Sequence, residues 1–311
     1  MQILVTGGLG YIGSHIVLEA VEKGFKVTVF DDLSTGNKKN INESFDFVKG
    51  STLKDADLKK LFNQNHYDAV IHLAACKAAG ESMLHPIKYA QNNITGTLNL
   101  LKYCLAFKTG FFIFSSTAAV YGNPNFIPVN EKHPLSPTNY YGFTKLSIEK
   151  HLNWLDKLKK IKFASLRYFN AAGYDIKKRI CGLEKNPQNL IPLVMEVASG
   201  LRKNIFVYGN DYKTKDGTGV RDYIHVSDLA NAHLKSIDYL FENKESFTAN
   251  LGSGSGFSVL DIINKTSKVS NKKIKYSFKG RRKGDVDILT AEACLAESLL
   301  NWKAKYSDLN T

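Results

Sequence analysis

No stretch of this 311-residue chain approaches the ~18 consecutive apolar residues of a membrane helix. A membrane-spanning protein is therefore not expected. The opening residues, Met1-Gln2-Ile3-Leu4-Val5-Thr6, run straight into glycines. A secretory signal needs a basic start and a longer apolar stretch, and neither is present. Cysteine is scarce. The four residues Cys76, Cys104, Cys181 and Cys294 form neither a C-x-x-C pair nor a metal-ligand spacing. That argues for free thiols in a reducing cytoplasm and against a metal centre. Internal repeats and low-complexity segments are also lacking.

What is present is an ordinary globular mixture, 43% hydrophobic and 23% charged, long enough for one large domain or two unequal ones. The net charge is +13. A basic chain is a candidate nucleic-acid binder, but the lysines are spread along its length. The densest groups, Lys157–Lys162 and Lys272–Lys283, lack regularly interleaved aromatics. A solvated basic surface with a cleft that attracts an anionic substrate is expected, and no nucleic-acid partner.

The first half alternates apolar runs with helical stretches. The runs are Ile3–Thr6, Val27–Phe30, Phe45–Val48, Ala69–Leu73, Phe111–Ser115 and Lys162–Leu166. Most are continuously apolar, as strands buried on both faces of a parallel sheet must be. Between them Ile12–Lys23, Ala56–Asn63, Pro86–Phe107 and Tyr140–Lys160 read as helices. The alternation predicts a doubly wound, Rossmann-like α/β domain over residues 1–170. After Arg167 turn-rich segments take over. Tyr223–Val226 reads as a further strand, and Asp228–Leu240 as a helix. The expected organisation returns 221–250 to the first domain. Residues 171–220 and 251–311 then build a smaller substrate lobe, with the ligand in the cleft between the two.

Gly7-Gly8-Leu9-Gly10-Tyr11-Ile12-Gly13 follows the first strand and opens the first helix. Gly7 permits a tight turn, Gly10 a close approach of pyrophosphate to backbone, and Gly13 close helix–strand packing. The helix N-terminus then meets the phosphates. Asp31 ends the next strand, where a carboxylate suits ribose hydroxyls and repels a 2′-phosphate, favouring NAD over NADP.

Tyr141-Gly142-Phe143-Thr144-Lys145 begins a helix, so the phenol and the ammonium share one face. A free tyrosine is a poor base at neutral pH. The lysine charge and a nicotinamide cation are both expected to favour the phenolate and lower its pKa. Upstream, Phe114-Ser115-Ser116-Thr117 ends a buried strand, where a hydroxyl suits a substrate oxygen.

Together these segments resemble the extended short-chain dehydrogenases that act on nucleotide sugars, and among them the UDP-glucose 4-epimerase family. The similarity runs from Met1 to about Tyr306. It is carried by TGGLGYIGSH, ESMLHPIKYAQNNITGTLNLL, IFSSTAAVYG, YYGFTK, LRYFNAAG, GNDYKTKDGTGVRDYIHVSDLA and NLGSGSGFSVLDII. The resemblance implies that the glycine loop with Tyr11 and Ile12 binds NAD, together with Asp31, Asp32, Leu33, Ser34, Thr35 and Gly36. Ser51 and Thr52 would lie at its adenine end. Leu73, Ala74, Ala75, Lys77 and Asn92 would line the site further along. Ser115, Tyr168 and Phe169 would approach the nicotinamide end. Tyr141, Lys145 and Thr117 are implied as catalytic. The UDP-sugar would be held by Lys77, Thr117, Tyr141, Asn170, Asn189 and Leu190, and by Tyr208, Arg221, Arg282, Asp285 and Leu289. The implied reaction removes the C4 hydroxyl proton and hydride, turns the 4-keto sugar over, and returns hydride to its other face. A homodimer is implied too, through helices near Asn92–Phe107 and Tyr140–Leu158.

Dehydratases of similar build place Asp-Glu where this chain has Ser116-Thr117, and decarboxylases usually carry a Glu where it has Ala118. A reductase or decarboxylase remains the second reading, and a non-catalytic NAD-sensing protein the third. Other departures have consequences. Ser51-Thr52 follows Gly50 where relatives carry Asp, so a different adenine contact is expected. Thr117 stands for a frequent Ser and keeps the hydroxyl. Leu289 stands where a bulky Tyr restricts relatives to glucose and galactose, which leaves room for an N-acetyl group. The chain is shorter than typical members, which either leaves apolar surface around Leu299 and Trp302 uncovered or marks a truncation.

Overall fold

All six apolar runs become neighbours in one parallel sheet. The computed structural model describes every residue except 181, 183, 185, 186, 283, 310 and 311, so Cys181 and Lys283 lie outside the described residues. The first part of the chain runs β1 (Gln2–Thr6), α1 (Tyr11–Glu22), β2 (Lys26–Asp31), β3 (Asp46–Lys49), α2 (Asp55–Gln64) and β4 (Ala69–His72). Next come α3 (Ala79–Leu84), α4 (Pro86–Tyr89), a π-helical turn (Ala90–Thr95) and α5 (Gly96–Ala106). Then follow β5 (Phe111–Thr117), α6 (Tyr140–Lys157) and β6 (Lys162–Tyr168). The helix expected over Pro86–Phe107 is thus one rod with a π turn inside it.

The later part contains β7 (Asn170–Ala172), α7 (Leu190–Ala198), β8 (Ile205–Tyr208), β9 (Val220–His225), α8 (Val226–Asn243) and β10 (Phe247–Leu251). It closes with β11 (Gly256–Ser258), α9 (Val259–Ser270), β12 (Tyr276–Lys279), β13 (Ile288–Leu289) and α10 (Cys294–Leu300).

The large sheet has the order β10-β6-β5-β4-β1-β2-β3, every pair parallel. Strands β1, β4 and β5 are almost wholly buried because helices cover both faces. One core lies under α1 and α8 and includes Ile3, Val5, Ile16, Ile113 and Leu229. The other lies on the opposite face and includes Leu4, Phe30, Phe62, Phe112 and Leu152. The strand order reverses between β1 and β4, which opens a crevice at their carboxyl ends. Beyond this sheet, β11, β9 and β13 pair in a small sheet, β7 also joins β9, and β8 pairs with β12. Strand β9 therefore stands outside the large sheet, whereas the α8 and β10 that follow it join the large domain.

The apolar surface expected around Leu299 and Trp302 is covered. Trp302 is 3% exposed and packs in the first core, and its indole donates to the Asp228 carbonyl at 3.0 Å. The Asp228 carboxylate also accepts the backbone amides of Lys305 and Tyr306, at 3.0 and 2.9 Å.

Candidate active site

At the switch point the loops after β1 and β4 touch. Gly7 has φ +71°, and a Cβ there would sit 2.7 Å from the Ala74 amide nitrogen. A Cβ on Gly13 would fall 2.2 Å from the Gly7 carbonyl oxygen, so the close packing expected of the third glycine is real. Gly10 caps α1 with extended backbone and no side chain in the way of the first turn. The Asp31 carboxylate accepts from the amides of Leu33 and Leu9, at 2.8 and 3.1 Å, and Gly36 packs against it. Burial raises its pKa while those two amides oppose the rise. Two amides leave the carboxylate further acceptor capacity for a ribose diol. These residues fit NAD: a cradle without side chains faces the helix N-terminus, and an acid stands at the ribose position.

The Ser51 amide donates to Asp57 Oδ2 at 3.0 Å and its hydroxyl accepts from Leu53 at 3.3 Å. Thr52 is buried and receives Asn99 on its carbonyl at 3.1 Å. Asp32 fixes the next turn by accepting the Ser34 amide at 2.8 Å. Lys77 forms an ion pair with Glu184. Asn92 turns back on its own helix, donating to the Lys88 carbonyl at 2.9 Å. Tyr11 stacks against Tyr174 and donates to the Gly173 carbonyl at 2.5 Å.

Tyr141 opens α6, whose N-cap Asn139 accepts the Gly142 amide at 2.9 Å. Lys145, 3% exposed, donates to the Ser115 carbonyl at 2.7 Å, with its ammonium 6.0 Å from the Tyr141 ring centre. Burial lowers its pKa to about 7, opposed by the charges of Cys76 and Glu149. The lowered phenol pKa expected from the sequence is not what the protein's own groups produce. Burial raises the Tyr141 pKa to about 12, and the Thr117 hydrogen bond only partly opposes this. Tyr168 pairs across the sheet with Thr117, and its phenol is bonded to the Ser115 hydroxyl. Phe169 packs with Ala118, Val120, Tyr121 and Leu146 in a small cluster that also contains Leu289.

On the substrate side, Tyr208, Arg221, Arg282 and Asp285 lie together, while Asn170, Asn189, Leu190 and Leu289 stand on neighbouring elements. Asn170 Nδ2 donates to the Asp222 carbonyl at 3.1 Å. Arg282 Nε donates to Asp285 at 2.9 Å, and Arg221 Nη2 stands 3.9 Å from the other oxygen of that carboxylate. The Arg282 guanidinium also lies over the Tyr208 ring, 5.1 Å from its centre. Asn189 and Leu190 begin α7. Leu289 pairs with Arg221 in the small sheet.

Sequence reasoning missed Asn93 and His72. Asn93, on the π turn, accepts the Cys76 amide at 2.8 Å and donates to the Cys76 carbonyl and to Thr144 Oγ1, both at 3.0 Å. His72 is clasped by Thr6 at 2.7 Å and Thr97 at 2.8 Å, and Thr97 donates to the Asn93 carbonyl at 2.6 Å. Two adjacent asparagines inside a helical pattern were the available signal, because asparagine prefers local bonding to helix interiors. Among the described residues no cluster of His, Cys, Asp and Glu forms a metal site, and no helix is long and apolar enough to cross a membrane.

The family model described as GDP-mannose 4,6 dehydratase matches residues 4–309. A UDP-glucose 4-epimerase of Halalkalibacterium halodurans is 44% identical over 100% of this chain and 93% of its own. The structure of UDP-glucose 4-epimerase from Bifidobacterium longum with NAD+ and UDP superposes with a TM-score of 0.94 at 38% identity, covering 100% of this chain and 95% of that one. The UDP-Glc/GlcNAc 4-epimerase of Campylobacter jejuni gives a TM-score of 0.86 at 40% identity, covering 99% and 95%.

Proposed function

The chain belongs to the UDP-glucose 4-epimerase family, and on that premise we propose that Tyr141, Lys145 and Thr117 carry the NAD-dependent 4-epimerisation of a UDP-hexose. The observation that carries this assignment is the convergence of three groups at the end of β5: the Tyr141 phenol close enough to Thr117 for the hydroxyl to oppose its raised pKa, and the Lys145 ammonium anchored on Ser115. Bound NAD supplies the hydride acceptor and a positive charge beside the phenol. Thr117 presents a hydroxyl to the sugar C4 oxygen, and Tyr141 takes that proton and gives it back. Lys145 favours the phenolate by its charge and holds the ribose of the cofactor. Thr117 provides a hydroxyl and no carboxylate at the end of β5, where a dehydratase needs an acid and a base, which favours epimerisation over elimination.

Arg221 and Arg282, pre-oriented on Asp285, suit a diphosphate, because guanidinium forks match paired phosphate oxygens. Held at the diphosphate, the sugar is free to present either face. Tyr208, Asn170, Asn189 and Leu190 complete the nucleotide anchor. Lys77 serves the cofactor and substrate from the loop after β4 once it leaves Glu184. Leu289 lies in one cluster with Ala118, beside Thr117, and its modest size favours acceptance of UDP-N-acetylhexosamines as well. The exposed Leu98 on α5 and the exposed Trp154 and Leu158 at the end of α6 favour a homodimer through these helices. The free thiols Cys76, Cys104 and Cys294 suit a cytoplasmic location. Incubation with UDP-galactose tests the assignment: UDP-glucose must appear without net consumption of NAD.

A further inference from the structure

Three successive residues of β5 meet three residues of α6 that lie four apart. Thr117 stands beside the Tyr141 phenol, the Ser115 carbonyl accepts from Lys145, and the Ser116 hydroxyl donates to Glu149. The first two rungs hold the acting pair. The third ends on a buried carboxylate that no step of the reaction uses. Arg167 of β6 grips that carboxylate as a fork, Nε to Oε1 at 2.9 Å and Nη2 to Oε2 at 2.6 Å. Its Nη1 donates to the Tyr121 hydroxyl at 3.1 Å, and Tyr121 donates to Asn250 of β10 at 2.6 Å. Asn250 in turn donates to the Val129 carbonyl at 3.0 Å. A buried ion pair is commonly replaceable by apolar residues without loss of stability. Its distinctive property is geometric, since a bidentate fork fixes both partners in one orientation.

We propose that Glu149, clamped by Arg167, is a positioning residue that sets the register of α6 on β5 and thereby holds Lys145 beside Tyr141. The proposal rests on the epimerase assignment and deepens it. If α6 slips on β5, the Ser115 carbonyl loses Lys145 and Thr117 loses its place beside Tyr141 together. The other groups that face Lys145 are His72 of β4, Cys76 of the following loop and Tyr141 of α6; Glu149 is the carboxylate among its neighbours.

The test uses the NAD-loaded enzyme and two variants. Glu149→Gln leaves a buried guanidinium without its anion and is expected to melt at lower temperature. The double variant Glu149→Leu/Arg167→Met removes both charges and is expected to fold. In that double variant kcat should fall roughly tenfold to a hundredfold with KM for UDP-glucose within about twofold, as misplacement of reacting groups requires. The acid limb of its kcat profile should move to higher pH, because Tyr141 loses the support of the Lys145 ammonium. Ionisation of Tyr141, followed by ultraviolet difference absorbance against the same protein carrying Tyr141→Phe, should move the same way and needs no turnover. Wild-type kcat and an unmoved Tyr141 titration in the folded double variant would overturn the proposal. No turnover by the wild-type enzyme would instead contradict the epimerase assignment, and the absorbance titration would still decide the role of Glu149.

Discussion

The Lys145 ammonium lies 6.0 Å from the centre of the Tyr141 ring, held there by the Ser115 carbonyl at 2.7 Å. One helical turn separates the two residues, so the spacing of four in the sequence becomes a shared face above the end of β5. Lys145 is buried and Tyr141 half-buried, and desolvation drives both toward their neutral forms. A base at this position therefore depends on charge brought close to it.

Replacement of Tyr141 by Phe removes the proton acceptor and leaves the packing. The expected loss in kcat is about a hundredfold to ten-thousandfold. KM for UDP-glucose and the amount of NAD that copurifies should stay close to wild type. Steady-state kinetics with product resolved by NMR measures the first, and the absorbance of cofactor released on denaturation measures the second. Near-normal turnover in this variant would remove Tyr141 from the mechanism.

Lys145 carries a stability signature as well. Its folded pKa, about 7, lies below the ordinary lysine value. Between those values the unfolded chain binds the proton and the folded chain does not, so stability rises with pH across that interval. The Lys145→Met variant of the cofactor-free protein should melt higher than wild type near about pH 6, with a gap that narrows toward about pH 9. A gap that is constant with pH would contradict the lowered pKa.

His72 supplies the corresponding effect on the acid side. Burial lowers its pKa to about 3, so it stays neutral in the folded chain while the unfolded chain takes up a proton below about pH 6.5. Stability should fall as pH drops through that range. The His72→Gln variant should show a shallower fall in melting temperature from about pH 7 to about pH 4, whatever its absolute stability. An unchanged slope would remove His72 as a contributor.

Much of the fold was legible because buried parallel strands need continuous apolar runs, and all six appear at their expected places. Strand β9 was legible as a strand but not as part of the small sheet. Its alternating partners, β7, β11 and β13, are two or three residues long and leave no periodic signal. The glycine loop and the Tyr141–Lys145 spacing were legible because each imposes a local backbone requirement. The Asn93 and His72 chain was not, since it joins residues on β1, β4, the π turn and α6 that no spacing relates. The covered position of Trp302 was also illegible, because Asp228, which pins it, lies 74 residues away.

Gly13→Ala places a Cβ about where the Gly7 carbonyl oxygen stands, 2.2 Å away. The loop must open to admit it. NAD affinity should drop by at least about tenfold, with a melting temperature lower by several degrees, as expected for overpacking that costs roughly 1–3 kcal/mol. Calorimetric titration with NAD checks the affinity. Tight NAD binding in this variant would show that the loop is not the pyrophosphate cradle.

Leu289→Tyr adds bulk at the edge of the cluster that contains Ala118. Turnover of UDP-N-acetylgalactosamine should fall at least about tenfold while turnover of UDP-galactose stays within about threefold, a discrimination within reach of a single steric contact. Parallel rate measurements on the two sugars decide it. Equal changes in both would make Leu289 a packing residue.

The most direct measurement is NMR of the purified, NAD-loaded protein incubated with UDP-galactose, with absorbance of the reduced cofactor followed in the same sample. An equilibrium mixture of UDP-galactose and UDP-glucose should form over many turnovers, with no net accumulation of NADH and no added NAD. Stoichiometric NADH with an oxidised sugar, or no conversion by protein that retains NAD, would contradict a hydride borrowed and returned at Tyr141 and Lys145.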